Sequence, residues 1–92
     1  MIVSFANRAT ERFAREGKSK FTGMDVAKAF ARLQVLNVAA SLDDISPLKS
    51  VGLHALHGDR QGQWAMTING PWRLVFRFKD GNAEQVEIVD YH

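Results

Sequence analysis

At 92 residues the chain has room for one compact domain, and the absence of cysteine excludes a disulfide staple, a thiolate metal site and a cysteine nucleophile. A hydrophobic content of 46% with 24% charged residues is that of a folded protein and argues against intrinsic disorder. The net charge of only +2 is unevenly spread: Arg60 to Lys79 holds four basic residues and no acid, whereas Asp80 to the end holds four acids and no Lys or Arg. Such a division can present a polyanion-binding surface on a nearly neutral protein, or it can reflect two solvated strand faces.

Ile2, Val3 and Phe5 suggest a short first strand. The segment Met1 to Phe5 is too short for the apolar region of a secretion signal, and Arg8 follows closely. No apolar run approaches the roughly 18 residues of a membrane span. A soluble, cytoplasmic protein with no membrane association is therefore expected.

Asn7 is placed to cap a helix from Arg8 to about Glu16, with Gly17 to end it. Thr22 and Asp25 resemble a capping box for a second helix, whose Val26, Ala29, Phe30, Leu33, Leu36 and Ala40 fall on one face. That helix is expected to end near Ala40, and Pro47 to keep the next connection non-helical.

The period then changes from helix to strand. Leu53, Ala55 and His57 alternate with His54 and Leu56, followed by a turn or loop at Gly58 to Gly62. Trp64, Met66 and Ile68 alternate up to Asn69-Gly70, a hairpin signal. Trp72, Leu74, Phe76 and Phe78 form one face of the next strand, opposite Arg73, Val75, Arg77 and Lys79. Asp80-Gly81-Asn82 turns the chain into a last strand from about Ala83 to Asp90, with Val86 and Ile88 inward. The expected fold is α+β in the order β-α-α-β-β-β-β, a single domain over residues 1–92 with two helices on one face of a mostly antiparallel sheet. The uncovered face, which carries Arg73, Arg77 and Lys79, must then be polar or bound to something.

Histidines lead the search for chemistry. His54 and His57 fall on opposite faces of a regular strand, and no third ligand is evident, so no metal site is expected. His92 follows Asp90 and Tyr91 and reads either as a solvated end or as a tethered proton donor or acceptor that Asp90 orients. Tyr91 could stack on a base or donate a hydrogen bond. Arg73 and Arg77 either pair with Glu84 or Glu87 across the sheet or grip phosphate with their planar forks, and Arg60 in its loop could take a neighbouring phosphate. Trp64 and Trp72 lie on apolar faces and are read as core.

The run His54-Ala55-Leu56-His57-Gly58-Asp59-Arg60-Gln61-Gly62-Gln63-Trp64 resembles the segment L-H-x-L-K-G-D-R-x-G-x-W of a known family. Asn69-Gly70-Pro71-Trp72-Arg73-Leu74-Val75-Phe76 is similar to that family's second hairpin, and Val89-Asp90-Tyr91-His92 to its terminal D-Y-H. The opening Ile2 to Phe5 and the helix around Arg32-Leu33 and Leu36 also fit. These are the HigB-type toxins of the RelE/ParE superfamily, killer components of type II toxin–antitoxin pairs. The resemblance implies a RelE-like fold and mRNA cleavage, usually on the translating ribosome, without a cofactor or metal. It also implies a HigA-like antitoxin with a helix-turn-helix domain, and a higher-order complex on operator DNA.

Carried over position by position, the resemblance makes His54, Arg73, Asp90, Tyr91 and His92 active-site residues and Arg60 an RNA contact; His57 beside it and Arg77 on the basic strand face are read as further RNA contacts. A base would remove the 2′-hydroxyl proton, and the 2′-oxygen would attack the adjacent phosphate. His57 stands where the family commonly has lysine, a permanent cation at neutral pH. Three alternatives use the same fold: a binding module without nuclease activity, a gyrase inhibitor like the ParE branch, and a degenerate toxin that only joins an antitoxin in repressing transcription.

Overall fold

A computed structural model describes residues 1–91. Helices α1 (Arg8–Glu16) and α2 (Val26–Val38) precede strands β1 (His54–Ala55), β2 (Trp64–Asn69), β3 (Trp72–Lys79) and β4 (Asn82–Asp90). The strands form one antiparallel sheet in the order β1-β2-β3-β4.

The first helix begins and ends as its sequence dictates. Asn7 is extended (φ −150°, ψ 166°), and its side chain accepts the Thr10 N–H at 2.9 Å; Gly17 adopts φ 74° and donates its N–H to the Phe13 carbonyl. Thr10 is fully buried, and its Oγ1 accepts the Ile88 N–H at 3.0 Å. A helix side chain thus closes the exposed edge of β4. Further along that edge, the N-terminal segment pairs in parallel through Ile2 with Ala83 and Phe5 with Val86. The expected first strand is therefore reduced to two isolated bridges. The cause lies in β4, where Gln85 (φ 52°) is an extra residue in the ladder and gives its N–H to Ser4 Oγ at 2.9 Å. The same bulge turns both Ala83 and Val86 into the core, which a spacing of three would not allow in a regular strand.

The second helix is capped by Asp25, whose carboxylate accepts the Lys28 N–H at 3.0 Å; Thr22 lies outside the helix, contrary to the capping-box expectation. Asn69, 44 residues away in sequence, explains the shift: its Oδ1 accepts the Asp25 N–H at 2.7 Å, and its Nδ2 donates to Gly23 O at 3.1 Å. A register shift between Thr67 and Asn69 re-aims Asn69 to the helix side of the sheet. Arg32 on α2 donates to Thr67 O at 2.8 Å and Ser50 O at 3.1 Å, which pins the helix over that bulge. The helix stops at Val38 because Asp44 takes the Ala40 N–H at 2.8 Å and the Ser41 N–H at 3.2 Å. As a result Ala39 is buried in place of Ala40, and Val26 and Phe30 stay exposed at the margin.

Between the helices and the sheet, Phe13, Leu36, Ile45, Met66, Leu74, Phe76 and Val86 are fully buried. Each such large side chain contributes about 1.5–3 kcal/mol relative to exposure. Trp64 and Trp72 pack against this core, and Phe21 meets Trp72 edge-on at 5.5 Å. The segment around Pro47 forms short 3₁₀ turns at Leu42–Asp44 and Lys49–Val51. Asp80 (φ 53°) and Gly81 (φ 80°) make the tight turn into β4, both in the left-handed region that a two-residue hairpin favours.

Candidate RNA-cutting face

The antiparallel register assembles one sheet face in rows. His54, Ala65, Val75 and Glu87 lie side by side across the four strands. The next row towards the Gly70-Pro71 turn holds Thr67, Arg73 and Val89, and Tyr91 follows, its N–H donating to Pro71 O at 2.7 Å. Towards the opposite end, Arg77 faces Glu84. These residues alternate with the core residues Leu74, Phe76, Val86 and Ile88, so they lie on the sheet face turned away from the helix-packed core, where Ala65 and Val75 are nonetheless fully buried.

Arg73 on β3 and Tyr91, one residue past the end of β4, are diagonal neighbours, a relation that spans roughly 7–8 Å between strands. His54 lies two strands and one row from Arg73, roughly 12 Å between Cα atoms from ordinary strand spacing. Long side chains can close such a gap around a nucleotide. Arg73 holds a defined pose, with Nη1 donating to Gly70 O at 2.6 Å and Trp72 O at 2.9 Å. Those contacts engage one nitrogen of the guanidinium fork and leave its other donors for a phosphate.

His54 is exposed, and its Nδ1 lies 3.0 Å from Gly52 O. A carbonyl only accepts, so this contact puts the proton of the neutral ring on Nδ1 and leaves Nε2 with a free lone pair. The strand reading placed His57 three residues further along the same strand, but β1 ends at Ala55. His57 is exposed and instead leads the 3₁₀ turn Gly58–Arg60, its carbonyl accepting the Arg60 N–H at 3.3 Å. Among the described residues, no group of three or more His, Cys, Asp or Glu side chains is arranged to hold a metal ion.

The basic and acidic stretches do not form two separate surfaces: β3 and β4 are neighbours, and their charges interleave on the face turned from the helices. Arg60 is not free there: its Nη1 contacts Glu87 Oε1 at 3.3 Å and Gln63 Oε1 at 3.2 Å. The loop arginine, rather than Arg73 or Arg77, pairs with Glu87. Asp90 sits opposite Trp72, so alternation turns it to the helix side, away from Arg73 and Tyr91. His92, the remaining candidate, lies outside the described residues.

The fold and this face define a small α+β domain with an open sheet surface bearing histidine, arginine and tyrosine. The sequence model of the RelE-like toxin of type II toxin–antitoxin system HigB matches residues 3–92. A protein named Endoribonuclease HigB from Proteus vulgaris is 32% identical over 93 residues, covering 100% of both chains. The chain belongs to the HigB-like toxin family and is therefore a toxin of a type II toxin–antitoxin system, a class defined by pairing with an antitoxin. Among the described residues, no helix is long and apolar enough to cross a membrane.

Proposed function

We infer that this toxin is an endoribonuclease that cuts messenger RNA and so inhibits translation. The supporting observation is the full-length 32% identity to an endoribonuclease, in a chain whose His54, Arg73 and Tyr91 share the open face. The reaction suited to these groups is transesterification. A base takes the 2′-hydroxyl proton, the 2′-oxygen attacks the adjacent phosphorus, and the bond to the 5′-oxygen breaks as that oxygen gains a proton. A 2′,3′-cyclic phosphate and a 5′-hydroxyl result.

His54 Nε2 and His92 are the two groups suited to exchanging those protons. Arg73 stabilises the charge that develops on the phosphorane oxygens. Tyr91 positions the nucleotide by stacking, while Arg60, Arg77 and His57 receive flanking phosphates. The substrate is mRNA engaged on the translating ribosome in the cytoplasm. The antitoxin is a HigA-like helix-turn-helix protein, and the pair joins operator DNA in a larger complex.

The test is induction of the wild type, His54→Ala, Arg73→Ala and His92→Ala in cells, with transcript 5′ ends mapped. New 5′ ends inside coding regions are expected with the wild type and are lost or strongly reduced in the variants. Growth arrest by the wild type with intact transcripts would overturn the assignment and favour a protein target such as gyrase.

A further inference from the structure

We propose that Glu87 occupies the place of an RNA phosphate on Arg60 and so acts as a built-in brake on substrate binding. The inference rests on the RNA-cutting reading above and adds a restraint to it. Arg60 projects from the 3₁₀ turn Gly58–Arg60, and a single nitrogen, Nη1, serves both Gln63 Oε1 and Glu87 Oε1. The Glu87 contact, at 3.3 Å, is longer than the roughly 2.7–2.9 Å of a tight charge-assisted bond. The two side chains keep 36% and 26% of their surface exposed, so the pair is weak and open to exchange. The other oxygen of Glu87 lies 3.5 Å from Asn7 Nδ2, the long limit of a hydrogen bond.

A second guanidinium lies beside the same loop. Gly62 has φ 92°, and a Cβ built on it would lie 2.6 Å from Arg77 Nη1. Arg77 therefore rests against the backbone of the loop that carries Arg60. Two planar forks beside one loop form the arrangement that bidentate phosphate recognition uses. The acids nearby are Glu87, Glu84 opposite Arg77, and the exposed Asp59 in the turn. Of these, only Glu87 is bonded to one of the two arginines among the described residues. A phosphate arriving at Arg60 must displace this carboxylate and then remain close to its charge.

Glu87→Gln tests the brake in the full-length protein, because it removes the charge and keeps an oxygen for Asn7. The probe is a labelled single-stranded RNA with 2′-O-methyl riboses, which cannot be cut, titrated at several salt concentrations. Glu87→Gln is expected to bind about fivefold tighter at low salt, the order of one exposed ion pair that phosphate no longer has to break at Arg60. Its log–log salt dependence should steepen by about 0.7, one additional phosphate contact. The gain should vanish in Arg60→Gln/Glu87→Gln compared with Arg60→Gln. Equal or weaker binding by Glu87→Gln, a gain that survives loss of Arg60, or no binding by either protein would overturn the proposal. Glu87→Ser gives the same comparison if a melting curve shows that the glutamine variant is misfolded. Since the probe is uncleavable, tighter binding together with intact cellular transcripts would sink the nuclease reading and leave the brake standing.

Discussion

Replacing Thr10 with valine should loosen the joint between the first helix and the edge strand that carries Glu87 and Val89. Thr10 is fully buried, and its Oγ1 accepts the Ile88 N–H at 3.0 Å. Valine has nearly the same shape and keeps the β-branch, so the packing against Phe13 and the core is retained. The Ile88 N–H loses its acceptor in a place that water does not reach. A buried donor left unpaired costs about 1–3 kcal/mol. For a domain of this size 1 kcal/mol shifts Tm by about 4–8 °C, so a central loss of about 2 kcal/mol lowers Tm by about 8–16 °C. Thr10→Ser keeps the hydroxyl and loses only a methyl group, for which about 1 kcal/mol is expected. Thermal and urea melts give the stability difference, and amide exchange at Ile88 locates it, because that proton should lose protection first. A valine variant as stable as the wild type, with Ile88 still protected, would show that the hydroxyl does not seal this edge.

Gly62→Ala should destabilise the loop by about 1–2 kcal/mol through its left-handed φ of 92°, and should displace Arg77, whose Nη1 would lie 2.6 Å from the new Cβ. RNA binding should fall with it, read as a higher KM in a cleavage assay. Arg73→Lys cannot hold both Gly70 O and Trp72 O and still offer a fork to phosphate; kcat is expected to drop about a hundredfold with stability unchanged within about 0.5 kcal/mol. His57→Lys puts a permanent cation at an exposed position beside the Arg60 turn and should tighten RNA binding about two- to fivefold, mainly at low salt. A titration with uncleavable RNA measures that gain directly.

Local chemistry carried most of the fold into the sequence. Asn7 and Gly17 mark the ends of α1 because each satisfies backbone groups within four residues of itself. The alternation from Trp72 to Lys79 identified both faces of β3, and with them the open surface of Arg73 and Arg77. The readings that failed depend on distant partners. Thr22 resembles a cap, yet the start of α2 is decided by Asn69 through its bonds to Asp25 and Gly23. The first strand looked regular until the extra residue at Gln85 broke its ladder with β4. At the candidate site, His54 and Arg73 were visible as residue types and as matches to a family pattern. The Arg60–Glu87 pair was not, because no local period links a loop arginine to a strand carboxylate 27 residues later. Nor could alternation place His57 once β1 stopped at Ala55.

RNA cutting through the 2′-hydroxyl is best tested with two messages loaded on translating ribosomes, identical except for a 2′-deoxyribose at the nucleotide whose bond is cut. The purified toxin should cleave the all-ribose message to a 2′,3′-cyclic phosphate and a 5′-hydroxyl, and should leave the deoxy-substituted bond intact. Cleavage of the deoxy-substituted bond at a comparable rate, or no cleavage of the all-ribose message, would contradict it.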